Sequence, residues 1–192
     1  IDWDTQFMML AYITAMRSKD PSTQVGCVIV SEDKRVLRTG YNGLTIGMED
    51  TDEFWRPEEK ADKYLFAEHA ERNAIYNATK SGVTLKGSTV YVPWAPCSDC
   101  MRAIIQSGIR EVVIHSKHPG MLVKNNWNKS NERGKLMAKR RKVTIRMWDG
   151  VLPNINIRFG GNNFENKNGR IKQVEKSQDK KLDKNQSLME LK

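Results

Sequence analysis

The sequence predicts an α/β protein with a mixed sheet and helices packed on both of its faces. Three observations carry this. Short β-rich runs alternate with segments of helical periodicity, which pairs strands in parallel through right-handed crossovers. An early pair of β-rich runs, separated by a polar turn, adds antiparallel pairing. The chain has 192 residues, 39% hydrophobic and 29% charged, enough to bury a core, and no apolar run approaches the roughly 18–20 residues of a membrane-spanning helix.

The elements follow in order. Phe7, Leu10, Ala11 and Ala15 recur at helical spacing, so an amphipathic helix is expected over Trp3–Ser18, broken by Ser18-Lys19-Asp20-Pro21-Ser22. Val25–Val30 and Arg35–Tyr41 flank the polar run Ser31–Lys34 and read as a hairpin. Gly40, Gly43 and Gly47 bracket a loop, and residues 43–66 form a long, acidic, poorly periodic connection of the kind that is usually functional or mobile. A helix is expected over Ala67–Lys80, with Gly82 just past its end. Ser88–Val92 is a strand, Pro96 opens a helix over Cys97–Ser107 closed by Gly108, and Glu111–His115 is a strand. A further helix over residues 130–141 and a last strand over Val143–Trp148 complete five strands.

Charge is unevenly placed. Residues 1–132 carry 16 Lys/Arg against 17 Asp/Glu, whereas residues 133–146 carry seven basic residues and no acid: Arg133, Lys135, Lys139, Arg140, Arg141, Lys142 and Arg146. The net charge of +9 therefore says nothing about what an early site binds. The basic run reads as a solvated helix face or, as an alternative, a nucleic-acid or subunit contact. Beyond residue 160 only seven of 33 residues are hydrophobic, too few to offset ordering entropy. The expected organisation is one domain over residues 1–150 and a polar, basic, loosely ordered extension over 151–192.

The opening Ile1-Asp2-Trp3-Asp4 lacks the basic n-region of a secretion signal, and an initial Ile reads as a trimmed or incomplete start. Three cysteines cannot build a disulfide framework; Cys97 and Cys100 form one C-x-x-C, which without an export signal reads as a metal or redox pair in a reducing, cytoplasmic compartment. Cys27, inside an apolar strand, reads as an inert buried residue, and His115 and His118 as surface or packing residues.

The chemistry concentrates in His69-Ala70-Glu71, followed 24 residues later by Pro96-Cys97-Ser98-Asp99-Cys100. Cys97 and Cys100 stand three apart at a helix start, so both thiols face one side, where free N–H groups and the helix dipole favour thiolates. His69, at the start of another helix, supplies a neutral third ligand. Three protein ligands leave one tetrahedral position for water, the arrangement of a catalytic zinc. Glu71, two residues from His69, is placed for acid–base work. H-x-E followed by P-C-x-x-C is the signature of zinc deaminases that act on nucleobases.

Four segments in order resemble the deoxycytidylate deaminases of the zinc-dependent cytidine/deoxycytidylate deaminase superfamily. They are Ser18-Lys19-Asp20-Pro21-Ser22-Thr23-Gln24-Val25-Gly26, Gly40-Tyr41-Asn42-Gly43, His69-Ala70-Glu71-Arg72-Asn73-Ala74-Ile75, and Pro96 to Cys100 continued by Ile104-Ile105-Gln106-Ser107-Gly108-Ile109. The resemblance spans residues 3–116 closely and 117–148 loosely. It implies a cytidine-deaminase-like, three-layer α-β-α fold with a mixed five-stranded sheet, and hydrolytic deamination of dCMP to dUMP and ammonia. It implies Zn²⁺ on His69, Cys97 and Cys100, with Glu71 as proton shuttle. Asn42 contacts the deoxyribose or is a turn residue tolerating a left-handed conformation; Gln24 and Val25 lie near the base, Val25 equally readable as strand core. A nucleotide substrate, a homo-oligomer and dCTP or dTTP as effectors follow from the same resemblance, and no membrane partner. The chain departs from the pattern at Leu44-Thr45-Ile46-Gly47 and at Pro93-Trp94-Ala95, where Trp94 reads as a pocket wall or as packing. The alternatives are a deaminase acting on a base within tRNA or single-stranded nucleic acid, and a non-catalytic zinc-binding module of the same fold.

Overall fold

The computed structural model describes residues 1–56, 63–122, 127–152, 156–167 and 170–174. Five strands form the main sheet: β1 (Gly26–Val30), β2 (Val36–Tyr41), β5 (Thr89–Val92), β6 (Glu111–His115) and β7 (Thr144–Trp148), in the order β2-β1-β5-β6-β7. β1 pairs antiparallel with β2 and with β5, while β5–β6 and β6–β7 are parallel. This is the expected mixed five-stranded sheet. The expected element boundaries recur within a few residues, as fraying ends allow.

Side chains alternate across this sheet with the strand period of two. Cys27, Ile29, Val90, Val92, Val112 and Ile114 face one core, where they meet helices α4 (Ala70–Lys80), α5 (Ser98–Gln106) and α7 (Asn128–Arg140). Val28, Val30, Tyr91 and Val113 face the other, under Phe7, Met8, Ala11 and Tyr12 of helix α1 (Trp3–Ala15). Both faces of the sheet are thus covered, giving the three layers. The connection between β2 and α4 holds short pieces: β3 (Gly43–Leu44), α2 (Asp52–Trp55), α3 (Lys63–Phe66) and β4 (Ala67–Glu68), with β3 and β4 paired antiparallel.

Gly40 sets how closely α4 lies on the sheet. A Cβ there would stand 2.3 Å from the Ala74 nitrogen and 2.4 Å from the Ala70 carbonyl oxygen, so helix backbone rests directly on strand backbone. That contact holds the first turn of α4, the turn that carries His69 and Glu71.

The chain beyond residue 150 differs from its expected looseness. Strands β8 (Asn156–Phe159), β9 (Asn162–Lys167) and β10 (Arg170–Val174) make an antiparallel three-stranded sheet. Gly160 and Gly161, at φ +57° and +77°, form the two-residue turn between β8 and β9, a conformation that favours glycine. The apolar residues are few but well spaced: Ile157 and Phe159 are buried, with Phe164 and Ile171 packed partly onto the α1-side core. Average composition hides this pattern, because a strand pair laid on an existing core needs only one apolar face. Residues 175–192 lie outside the described residues.

The hairpin also grips the segment before β1. Gln24 N–H donates to the Arg158 carbonyl (3.1 Å), Gly161 N–H to the Ser22 carbonyl (2.8 Å) and Gly160 N–H to Thr23 Oγ1 (3.2 Å). Deletion of residues 156–192 is therefore expected to destabilise the protein. Fully burying a large apolar side chain contributes about 1.5–3 kcal/mol, so loss of Ile157 and Phe159 costs about 3–6 kcal/mol. In a domain of this size that lowers Tm by on the order of 10 °C, measurable by calorimetry; an unchanged Tm would show that the hairpin is merely apposed.

His115 and His118 are buried among rings. Tyr12 and His115 Nδ1 share a 2.7 Å hydrogen bond, and His118 Nδ1 accepts from Gly120 N–H at 3.1 Å. Burial pulls the two imidazoles down to about 4 and about 3 respectively. Both are neutral in the folded protein at pH 5 and charged in the unfolded chain, whose histidines titrate near 6.5. Stability from these groups is fully present above pH 6.5 and is lost as pH falls toward 4. The expected result at pH 5 is uptake of about two protons on unfolding from this pair, read from the slope of stability against pH.

Candidate active site

Two helix starts converge at the end of β5. His69 is the N-cap residue of α4, and Cys97 is the N-cap residue of α5, its Sγ accepting from Cys100 N–H at 3.5 Å. A capping residue directs its side chain back over the first turn, so Cys97 and Cys100 present both sulfurs toward His69. The His69 Nδ1 atom lies 3.5 Å from Cys97 Sγ and 3.4 Å from Cys100 Sγ. The three ligand atoms all lie within 4.8 Å of one another, and they are the one such group found among the described residues.

The spacing fits a tetrahedral ion. Bonds of about 2.3 Å to sulfur and about 2.0–2.1 Å to nitrogen, at tetrahedral angles, require sulfur and nitrogen about 3.5 Å apart. One histidine and two cysteines supply the borderline-soft donors that zinc prefers. The Cys100 thiol donates toward Cys97 and, with His69, holds the Cys97 thiol down to about 4, which favours its thiolate form. Cys100 is held well above its usual range by that same pairing and by burial, and gives up its proton when a metal binds.

Glu71 lies in the first turn of α4, 5% exposed and outside the ligand set. Burial pushes its carboxyl pKa up, while the charge of His69 pulls it back. Behind it lies Cys27, fully buried, its thiol raised by burial and then by Glu71. Cys27 is thus the inert strand residue expected. The two helix starts are also buckled together from outside: Arg72 pairs with Glu68, which accepts from His69 N–H at 2.9 Å, and reaches Asp99 at 3.7 Å.

These groups open onto a solvent-connected cavity of about 70 Å³. Val25 and Asn42 border it. Asn42 does not adopt a left-handed conformation, so the turn reading does not hold. It braces the wall instead: Oδ1 accepts from Val25 N–H at 2.7 Å, and Nδ2 donates to the Thr23 carbonyl at 2.8 Å. Gln24 borders a different groove, with Arg158 and Asn163. Alternation along the extended segment turns it away from Val25, and its Nε2 donates to the Ser18 carbonyl at 2.6 Å.

Lys63, Tyr64 and Trp127 also line the wall, although the sequence did not single them out. Lys63, 7% exposed, donates to both Asp20 oxygens at 2.9 and 3.0 Å and to Ser22 Oγ at 2.8 Å, pinning the long connection over the cavity. Trp127 meets the His69 ring edge-on with centroids 5.3 Å apart, and Tyr64 meets Trp127 at 5.5 Å. Trp94 both walls the cavity and packs, donating Nε1–H to the Gly120 carbonyl and meeting Phe159 at 5.0 Å. Aromatic residues standing in otherwise polar stretches, Tyr64 and Trp127, were the available signal.

The family model for the cytidine and deoxycytidylate deaminase zinc-binding region matches residues 1–116. The chain belongs to this family. A deoxycytidylate deaminase of Mus musculus is 38% identical over 162 residues, covering 83% of this chain and 86% of the relative. A deoxycytidylate deaminase of Homo sapiens is 43% identical over 119 residues, 60% of this chain and 66% of the relative. Among solved structures, the apo dCMP deaminase of cyanophage S-TIM5 superposes with TM-score 0.55 at 21% identity, over 76% of this chain and 96% of that one. That likeness shows the fold. As a member of the family the chain is a zinc-binding deaminase, and its His69, Cys97 and Cys100 group is where its donors suit the metal. No helix among the described residues is long and apolar enough to cross a membrane.

Proposed function

We propose that this protein hydrolyses dCMP to dUMP and ammonia in the cytoplasm, with residues 1–150 as its catalytic domain. The observation that carries the reading is a buried carboxylate, Glu71, placed beside a three-ligand metal group but outside it, on the wall of the cavity that the group opens onto. A structural zinc site is closed by four ligands and needs no such carboxylate. The names of the mouse and human relatives support dCMP as substrate.

His69, Cys97 and Cys100 hold the zinc. When bound, zinc supplies a nucleophile at neutral pH by lowering the pKa of a coordinated water from about 15.7 to about 7. Glu71 takes the proton that water gives up and delivers it to ring N3; a second proton passes through the same carboxyl to the departing amine. Oxygen is thereby added at C4 and ammonia leaves. Burial raises the Glu71 pKa toward the working pH, which suits a group that must both accept and donate. Val25 and the Asn42-braced segment frame the nucleoside, while Trp127 and Trp94 exclude water from around the metal end. The active form is a homo-oligomer, with dCTP and dTTP as candidate effectors.

The reading with nucleic acid as substrate fits less well. The exposed run Lys139–Lys142 lies at the far end of α7, about 12 Å along the axis from the cavity-lining Asn131 at ~1.5 Å per residue. The deciding experiment is ammonia release from cytidine, CMP, dCMP, dCTP and a cytosine-containing single-stranded DNA. dCMP is expected to be the best substrate; turnover of the oligonucleotide alone would overturn the proposal.

A further inference from the structure

Asn131 stands in the first turn of α7, beyond the residues that match the family model. It is 7% exposed and borders the cavity. Its Oδ1 is buried without a hydrogen-bond partner. Four buried side-chain atoms are unpartnered among the described residues, on Thr51, His115, His118 and Asn131, and only Asn131 borders the cavity. Buried acceptors are almost always satisfied, so one left open on a cavity wall is complementary to a ligand that brings a donor.

The position along the cavity is fixed by neighbours on either side. Ser130 Oγ accepts from Ser98 N–H at 2.9 Å, at the start of α5. Gly134 lies so close to the same place that an added Cβ would stand 3.2 Å from the Pro96 carbonyl oxygen and 3.5 Å from that of Cys97. Asn131, in the same turn, shares the cavity wall with His69, Glu71 and Cys97, the residues of the metal end. In dCMP the donor at that end is the exocyclic amine on the reacting carbon. In dUMP the same position carries a carbonyl oxygen, which accepts and cannot donate.

We infer that Asn131 Oδ1 accepts a hydrogen bond from the exocyclic amine of the substrate, and so favours the amino pyrimidine over the oxo product. The inference rests on the dCMP reading given above. It makes Asn131 a specificity-determining residue supplied from outside the zinc-binding region, by a helix that α5 itself holds in place.

The test uses the zinc-loaded full chain and compares KM for dCMP with the inhibition constant of dUMP. Asn131→Leu, of similar volume, is expected to raise KM about tenfold, the worth of one hydrogen bond, without weakening dUMP. Its Tm is expected to equal or exceed that of the parent protein, since an unpartnered acceptor has been removed. Asn131→Asp keeps acceptor oxygens and is expected to hold KM closer to the parent value than the leucine variant does. Asn131→Ala carries the same comparison if the leucine variant does not fold. Equal weakening of dCMP and dUMP, or no change in either, would overturn the assignment of Asn131 while leaving the reaction intact. Failure of the unsubstituted protein to release ammonia from dCMP would instead overturn the functional reading on which it stands.

Discussion

Glu71→Gln is expected to abolish most turnover, by about 10²–10⁴-fold, while zinc content and Tm stay near those of the parent protein. The amide copies the shape of the carboxyl but cannot carry a proton. Folding should tolerate it well, because burial already disfavours the charged form of Glu71 and a neutral side chain of the same size costs little there. kcat for dCMP, zinc per chain and Tm, measured on one preparation, check the result. A glutamine variant within a few-fold of the parent rate would show that another group moves the protons.

Replacing either cysteine should have a still broader effect. Cys97→Ala or Cys100→Ala is expected to reduce bound zinc from about one per chain to near zero, to lower Tm and to remove activity. The broad loss follows from where the ligands sit. His69 caps α4 and Cys97 caps α5, so the metal ties two helix starts that are otherwise joined at the surface by the Arg72 bridge to Glu68 and Asp99. Cys27 cannot substitute, since its thiol lies within the sheet and is held in its protonated form by burial. Full zinc occupancy in both variants, by elemental analysis, would place the metal elsewhere.

The ligand group was legible in the sequence from two short motifs read together. His69-Ala70-Glu71 and Pro96-Cys97-Ser98-Asp99-Cys100 are each weak alone, and together, in that order and spacing, they make the zinc-deaminase signature. The five strands were legible because short β-branched apolar runs, buried on both faces at β1, β5 and β6, are set between polar or glycine-containing turns. Gln24, Trp127 and Asn131 were not legible in that way. Gln24 differs from Val25 only in which side of an extended segment it occupies, and that is decided by the Arg158 contact made by the hairpin at the far end of the chain. Trp127 and Asn131 belong to a polar helix start whose burial arises only when Ser130 and Gly134 bring it against α5. The β8–β9 hairpin was hidden by averaging: its Gly160-Gly161 turn and its alternating Ile157 and Phe159 are clear signals, diluted by the asparagines and lysines around them.

The edge-on contact between Trp127 and His69 makes this centre visible by light. Protonated imidazole beside an indole quenches its emission, whereas an imidazole engaged with a metal is fixed in its neutral form. Zinc loading should therefore brighten Trp127, and a chelator should dim it, giving an optical titration of the metal with no added dye. Trp94 lies 6.4 Å from Trp127 and shares its emission, so the change should fall sharply in Trp127→Phe while zinc still binds.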